Sequence, residues 1–160
     1  MKRFSPFASI AILMIAAGSL RAQSAAQVVT FEVKAVNEVG VTGSPNLVID
    51  AAKPGESELS VQSTGNTWSV TTNQSRAKIT AALDAPMPDG VTLSAQLAAP
   101  AGARSAGMKP LSTVPVDMVT SINHLNQGGL PLVYQLDAVS TLAKSTKGTR
   151  AVTYTVTGGA

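Results

Sequence analysis

Few residues of the 160-residue chain have the type and spacing that catalysis or metal binding requires. His124 is its one histidine, and it has no cysteine. A serine–histidine–aspartate triad needs a serine held beside such a histidine, but the chain contains no G-x-S-x-G motif. His124 lies in a polar stretch ahead of Gly128 and Gly129. This context predicts a surface or capping histidine rather than a catalytic base.

Two pairs of carboxylates are close enough in sequence to be considered as sites. Glu56 and Glu58 are one residue apart, and Asp84 and Asp89 flank a proline-containing stretch. Either pair could bind calcium weakly or supply the acid and base of a glycosidase. Neither has the ligand density of a calcium loop, and no group of aromatic residues accompanies them. We interpret them as solvated turn residues, and predict no catalytic residue, no cofactor and no metal site.

Nucleotide and nucleic-acid binding are not indicated either. The glycines match no phosphate-binding motif. The nearest basic group, Lys144, Lys147 and Arg150, is surrounded by serine, threonine and glycine, which favours a solvated loop. Trp68 could stack on a sugar, but it alternates with other apolar residues on one side of a predicted strand. We therefore place it in the core.

The N-terminus has the three-part layout of a secretory signal peptide. Lys2 and Arg3 precede a mostly apolar run at 4–20, and small residues follow at 22–26. The run is too short to span a bilayer comfortably, although a retained membrane anchor is the alternative. We predict a signal peptide at 1–22 and one domain at 23–160, secreted to the cell surface or medium, with the periplasm also possible. Residues 26 and 27 flank the alternative cut.

Cleavage after Ala22 changes the charge balance of the chain. The precursor has 12 Lys and Arg against 9 Asp and Glu. Lys2, Arg3 and Arg21 leave with the signal peptide, so the mature 138 residues carry no formal net charge. A basic surface for nucleic acid or for an anionic membrane is therefore not expected, and we predict no membrane insertion after cleavage. Without cysteine, the domain has no disulfide to stabilise it.

Period-two alternation of apolar and polar residues recurs along the mature chain, with turn signals between the segments. Together with the spacing of about ten residues, it predicts an immunoglobulin-like antiparallel β-sandwich of about seven to nine strands. Segment 114–122 fits either a strand or a short helical turn. The stretch from Ile79 to Leu97 is typical of a hairpin. The alternating segments are 29–35, 39–41, 47–49, 59–61, 68–72, 77–83, 91–97, 130–138 and 152–156.

The apolar side of each alternating segment is expected to face the interior of the sandwich. Tyr134 and Tyr154 are expected to pair across adjacent strands. The side chains that we predict to be buried are Phe31, Val33, Trp68, Val70, Ile79, Leu93, Leu132, Tyr134, Leu136, Val152 and Val156.

Two terminal segments carry a resemblance to known proteins. Residues 148–158, GTRAVTYTVTG, resemble the closing strand of bacterial secreted immunoglobulin-like domains. Residues 28–35, VVTFEVKA, lie almost at the mature N-terminus. Together they resemble the layout of small surface and pilin-type subunits, including the chaperone–usher and spore-coat-U-like families. The resemblance implies that a terminal strand completes the sandwich of a neighbouring subunit.

These observations favour a non-catalytic structural subunit at the cell surface or in the extracellular matrix. The partners would be copies of the same chain, joined by strand exchange into a filament or pilus-like assembly. The predicted assembly strand presents Val29, Phe31, Val33 and Ala35 on one side. The alternative is a monomeric secreted module that binds carbohydrate or protein, with the same strand paired inside its own domain.

Overall fold

The computed structural model describes residues 24–51, 54–141 and 147–159. The predicted signal peptide, its cleavage site after Ala22 and the basic residue Lys144 lie outside these ranges. The chain divides into two compact units, Met1–Glu32 and Val33–Ala160. In the first unit, residues 24–32 form no strand and are exposed. No helix within the described residues is both long and apolar enough to cross a membrane.

The described part of the second unit contains ten strands, all paired antiparallel. They are β1 (Asn37–Thr42), β2 (Glu58–Gln62), β3 (Asn66–Thr72), β4 (Ala77–Leu83), β5 (Val91–Leu97), β6 (Arg104–Ser105), β7 (Lys109–Pro110), β8 (Val116–Ile122), β9 (Leu125–Val139) and β10 (Val152–Thr157).

The strands form two sheets that pack as a sandwich. The larger sheet has the order β1-β3-β9-β5-β7, with β2 also paired to β9, and the smaller sheet has the order β10-β4-β8-β6. The predicted all-β antiparallel fold class is confirmed. The count exceeds the predicted number because β6 and β7, of two residues each, lie between β5 and β8, where no alternating segment was predicted.

The core lies between the sheets and follows from the alternation within each strand. In β3 and β4 every second side chain is buried, and in the middle of β9 Leu130, Leu132 and Tyr134 follow the same pattern, which is that of a strand with one face on a core. Leu136, Val152 and Val156 are half-buried rather than buried. The buried apolar residues are Trp68, Val70, Ala77, Ile79, Ala81, Leu83, Leu93, Ala95, Leu97, Leu111, Met118, Val119, Ile122, Leu130, Leu132 and Tyr134.

Strand β9 is the centre of the larger sheet. Its first half pairs with β3, its second half pairs with β2, and its other edge pairs with β5. A bulge in the β3–β9 ladder adds one residue to β9 between Gln127 and Leu130. Gly129 in this bulge has a φ of 69°, a conformation that glycine adopts without strain. Strand β9 thus remains one continuous strand of fifteen residues across the bulge, and it pairs with β3 and then with β2 along the same edge.

The prediction that residues 79–97 form a hairpin is wrong. Strand β4 pairs with β10 and β8 in the smaller sheet, whereas β5 pairs with β9 and β7 in the larger one. The intervening segment, which contains Pro86 and Pro88, therefore carries the chain from one sheet to the other. Alternation reports which side of a strand is apolar but not which strand lies beside it, and both sheets present an apolar side to the same core.

The ambiguous segment 114–122 contains strand β8. Two register shifts in the β4–β8 ladder each place an extra residue on β8. As a result the consecutive residues Met118 and Val119 are both buried. A bulge breaks strict alternation, which is why the apolar residues of this strand also fitted the spacing of a helical turn.

Two predicted strands are absent from the described structure. Residues 29–35 form no strand in the single chain, and the predicted burial of Phe31 and Val33 is wrong, since both side chains are exposed. Leu47 and Ile49 are half-buried, as the alternation predicted, but they belong to no strand. Leu47 packs against the core without joining a ladder. The alternation therefore predicted correctly that the Leu47 side chain is partly buried, but the strand that it predicted there does not form.

Candidate assembly surface

The N-terminal segment, residues 28–33, exposes large apolar side chains. Val28, Val29, Phe31 and Val33 are 92%, 73%, 87% and 79% exposed. Single exposed apolar residues are ordinary, but a group of large apolar side chains exposed within six residues marks an interaction surface. Val29, Phe31 and Val33 recur at every second position, so in an extended conformation they would lie on one side of the chain.

A clamp formed by Asn73 sets the point at which this segment leaves the sandwich. The Asn73 side chain accepts a hydrogen bond from the backbone N–H of Val36 (2.8 Å) and donates one to the carbonyl oxygen of Lys34 (2.8 Å). The Asn73 N–H also donates to the Val36 carbonyl (3.2 Å). The chain is therefore held from Lys34 onward. Ala35, the last residue of the predicted assembly strand, lies within the clamp and is exposed.

Strand β10 forms one edge of the smaller sheet and pairs with β4 alone among the described strands. The Asp84 N–H donates to the carbonyl oxygen of Ala151 (3.0 Å), which places Ala151 in a hydrogen-bonded position of this ladder. Backbone groups of successive residues in an antiparallel strand point to opposite sides. Val152, Tyr154 and Val156 therefore direct their N–H and C=O groups away from β4, along an open edge.

Strand β1 is the corresponding edge of the larger sheet and pairs with β3 alone within the described residues. The Val36–Asn73 hydrogen bond fixes its ladder in the same way. Asn37, Val39 and Val41 thus direct their backbone groups away from β3. β1 and β10 are therefore open edges of six residues each, and each can accept an additional strand. The shorter strands β2, β6 and β7 also pair on one side only among the described strands.

A cleft of about 510 Å³ opens beside the first residue of β10. Both apolar and polar residues line it. Arg150 is one of the polar residues, and its guanidinium donates through Nε (2.9 Å) and Nη2 (2.7 Å) to the carbonyl oxygen of Pro86. The apolar side chains that line the cleft are Pro45, Leu47, Met87, Leu93, Tyr134, Leu136 and Val152. This volume is in the range of small-molecule sites, and an apolar side chain would also fit.

Two tyrosines join the sheets next to this cleft. The Tyr154 hydroxyl donates to the Tyr134 hydroxyl at 2.9 Å. Tyr134 is held by Ser63, whose hydroxyl accepts from the Tyr134 N–H and whose N–H donates to the Tyr134 carbonyl, both at 2.9 Å. The two tyrosines are in contact, but the prediction that they pair across adjacent strands is wrong, because β9 and β10 belong to different sheets. Burial raises the pKa of both phenols, and for Tyr154 the contact with Tyr134 raises it further.

The histidine has a partner that its sequence context did not reveal. Ser75 Oγ and His124 Nε2 lie 2.9 Å apart, and the His124 N–H donates to the Gln74 carbonyl (3.0 Å). Ser75 belongs to the β3–β4 turn and His124 to the β8–β9 turn. Both side chains are exposed, so His124 is a surface residue, as predicted. The contact joins two turns of the same end of the sandwich. Because the residues are 49 positions apart, no local motif could have indicated it.

The carboxylates considered from the sequence form no cluster. Asp84 is exposed, and its Oδ1 accepts a hydrogen bond from the Ala151 N–H (3.0 Å), which secures the start of β10. Glu56, Glu58 and Asp89 are exposed. No group of three or more potential metal ligands is present in the described ranges.

Comparisons of the chain with known protein families, with curated proteins and with solved structures find no match. The exposed N-terminal segment and the open edges at β1 and β10 are therefore the features on which a function can be argued.

Proposed function

We propose that this protein is an exported, non-catalytic structural subunit that assembles by adding its N-terminal segment to the sandwich of a second copy. The observation that carries the proposal is the exposure of Val29, Phe31 and Val33 at alternate positions, in a chain whose sandwich has open edges at β1 and β10. Strand addition would bury the apolar side chains of the segment and pair the backbone groups of an edge in one step.

Burial of these side chains contributes favourable free energy to assembly. Each large apolar side chain contributes roughly 1.5–3 kcal/mol when it is fully buried. Val29, Phe31 and Val33 together would contribute several kcal/mol, before the entropy lost on ordering the segment is subtracted. The mature chain carries no formal net charge, so long-range repulsion between copies is small.

Export is the second part of the proposal, and it rests on the layout of residues 1–22. Cleavage after Ala22 would leave the segment at 28–33 close to a free N-terminus, with few chain connections to restrain it. Sequencing the N-terminus of the exported protein tests this part. We expect Gln23 as the first residue, with Gln27 as the alternative, and an exported protein that retains Met1 would contradict it.

The assembly is tested by removing residues 23–33 from the mature protein, a deletion that ends ahead of the Asn73 clamp. Size-exclusion chromatography over a range of concentrations should show large particles for the intact mature chain and a folded monomer for the shortened one. Negative-stain microscopy of the intact protein would show whether the particles are linear. An intact chain that is monomeric at every concentration would overturn the proposal.

The cleft beside β10 favours one alternative, a monomeric module that binds a ligand. Its volume of about 510 Å³ and the apolar side chains among its lining residues suit a small ligand or a peptide side chain. A monomeric mature chain, with a ligand that protects residues around Tyr134 and Leu136 from hydrogen exchange, would favour this function instead.

A further inference from the structure

The open edges at β1 and β10 are not equivalent as acceptors. Resting on the function proposed above, we infer that residues 28–33 of one copy add to β10 of a second copy, antiparallel, with Phe31 opposite Tyr154. In this register Val33 lies opposite Val152 and Val29 lies opposite Val156.

The lengths and the alternation of the two segments match. Strand β10 and the N-terminal segment each have six residues. The three residues of β10 that direct their backbone groups outward are Val152, Tyr154 and Val156, whose side chains are half-buried on the inner side of the sheet. In an antiparallel pair, residues directly opposite each other share a face. Three inward apolar residues of the donor thus meet three inward apolar or aromatic residues of the acceptor.

The same register places polar residues of both segments on the outer face. Glu32 would lie opposite Thr153, and Thr30 opposite Thr155. Thr153 and Thr155 are exposed, so neither a carboxylate nor a hydroxyl group is buried by the addition. A shift by one residue would turn Glu32 into the space between the sheets and would expose Phe31, which makes that register unfavourable.

The cleft beside β10 gives Val33 of the donor a place to pack. Val152, the residue opposite Val33, lines it, as do Leu93 and Leu136 of the other sheet. Leu47, which is half-buried and belongs to no strand, also lines it. Because residues 46–50 belong to no ladder, no ladder hydrogen bond of theirs would have to break.

Strand β1 offers a poorer match. Its outward-directed residues are Asn37, Val39 and Val41, so a three-residue inner face would include the amide of Asn37. That amide is already engaged, because its Oδ1 accepts a hydrogen bond from Thr72 Oγ1 at 2.7 Å. An apolar donor residue opposite Asn37 would pack against a polar group, and the cleft beside Val39 is smaller, at about 320 Å³.

Pairing within one copy is disfavoured by the direction of the chain. Gly158, at the end of β10, lies beside Asn37, at the start of β1, since an added Cβ on Gly158 would be 3.3 Å from Asn37 Nδ2. For residues 28–33 to reach their own β10, the chain would have to reverse between Val33 and Asn37, where Asn73 holds two of the residues. The resulting pair would be parallel, whereas a second copy can supply the antiparallel arrangement.

Disulfide trapping tests the acceptor, because the chain has no cysteine of its own. Glu32→Cys is made in one mature protein, which carries a mass tag, and Thr153→Cys in a second. The two proteins are mixed and oxidised gently. Glu32 and Thr153 would form a non-hydrogen-bonded pair, in which Cβ atoms are close enough for a disulfide. We expect a cross-linked heterodimer on a non-reducing gel.

The matched control mixes tagged Glu32→Cys with Glu38→Cys, an exposed residue of β1, and should give little heterodimer. If the protein assembles but cross-links through Glu38 and not through Thr153, the acceptor is β1, and this inference fails while the proposed function stands. If the protein stays monomeric and neither pair cross-links, both fail.

A second pair of variants tests the edges without cysteine. Val156→Pro removes an outward-directed N–H of β10, and Val39→Pro removes one of β1. Proline is tolerated at an edge position whose N–H does not join the ladder. Each variant is first shown by circular dichroism to retain the fold. We expect Val156→Pro to abolish the particles and Val39→Pro to keep them, and the reverse result would overturn the assignment to β10.

Discussion

The Tyr154 hydroxyl donates a hydrogen bond of 2.9 Å to the Tyr134 hydroxyl and thereby joins the edge strand β10 to the central strand β9 of the other sheet. These are the two tyrosines of the chain. Burial raises the pKa of both phenols above the ordinary value of about 10. The proposed acceptor strand is therefore held to the other sheet by a contact between two groups that can ionise.

We predict that the free energy of unfolding falls as the pH rises above about 10, because both tyrosines ionise more readily in the unfolded chain. Below that pH both states hold the protons and the stabilisation is fully present. Urea unfolding at several pH values between 8 and 11 measures the effect.

The control for this prediction is a chain with phenylalanine at both positions. Lysine residues still titrate in it, so its remaining pH dependence can be subtracted. At neutral pH the loss of one hydrogen bond should cost about 0.5–1.5 kcal/mol. If the wild type and the double variant lose stability equally between pH 9 and 11, the phenols are not coupled to folding.

A second prediction concerns the end of the chain. The Gly159 N–H donates to the Ser75 carbonyl (3.1 Å), and a Cβ at this position would lie 2.7 Å from the carbonyl oxygens of Ser75 and Arg76. Gly159→Ala should therefore release the C-terminus from the β3–β4 turn and lower the thermal midpoint. Gly148→Ala is the control, because its added Cβ would meet only the flexible end of Arg150. Equal midpoints for both variants would refute the tight contact.

The third prediction concerns His124. Its contact with Ser75 joins two turns at the surface, so His124→Ala should cost about 1 kcal/mol or less, as expected for one exposed hydrogen bond. Fold and assembly should be unchanged. Because His124 has a φ of 40°, His124→Asn is the better-tolerated control for backbone strain. A hydrolytic activity that His124→Ala abolished would contradict the non-catalytic function.

The sequence was sufficient for the fold class because alternation survives in most strands. Strands β4 and β5 have the bounds that the apolar residues indicated, Ala77–Leu83 and Val91–Leu97. Their partners were not predictable, since alternation carries no information on which edge of a strand is occupied. Consecutive strands often form hairpins, and the crossover between sheets after Leu83 is decided by the tertiary fold.

The candidate site was only partly accessible from the sequence. The apolar alternation of Val29, Phe31 and Val33 was visible, but it suggested burial, whereas the structure leaves these side chains exposed. An alternating pattern records the environment for which a segment is suited and does not say which chain supplies that environment. The open edge of β10 and the contact between Ser75 and His124 depend on residues far apart in sequence, so no local pattern could have indicated them.

Phe31→Asp tests whether the apolar side of residues 28–33 drives assembly. Loss of the buried ring alone should weaken association by roughly 10-fold or more, and an unpaired carboxylate inside the acceptor would weaken it further. Thr30→Asp is the matched control, since it adds the same charge on the outer side of the same strand.

Sedimentation velocity of the three mature proteins at matched concentrations is the decisive measurement. We expect large particles for the wild type and for Thr30→Asp, and a folded monomer for Phe31→Asp. A wild-type chain that sediments as a monomer at every concentration, or a Phe31→Asp chain that assembles as the wild type does, would contradict it.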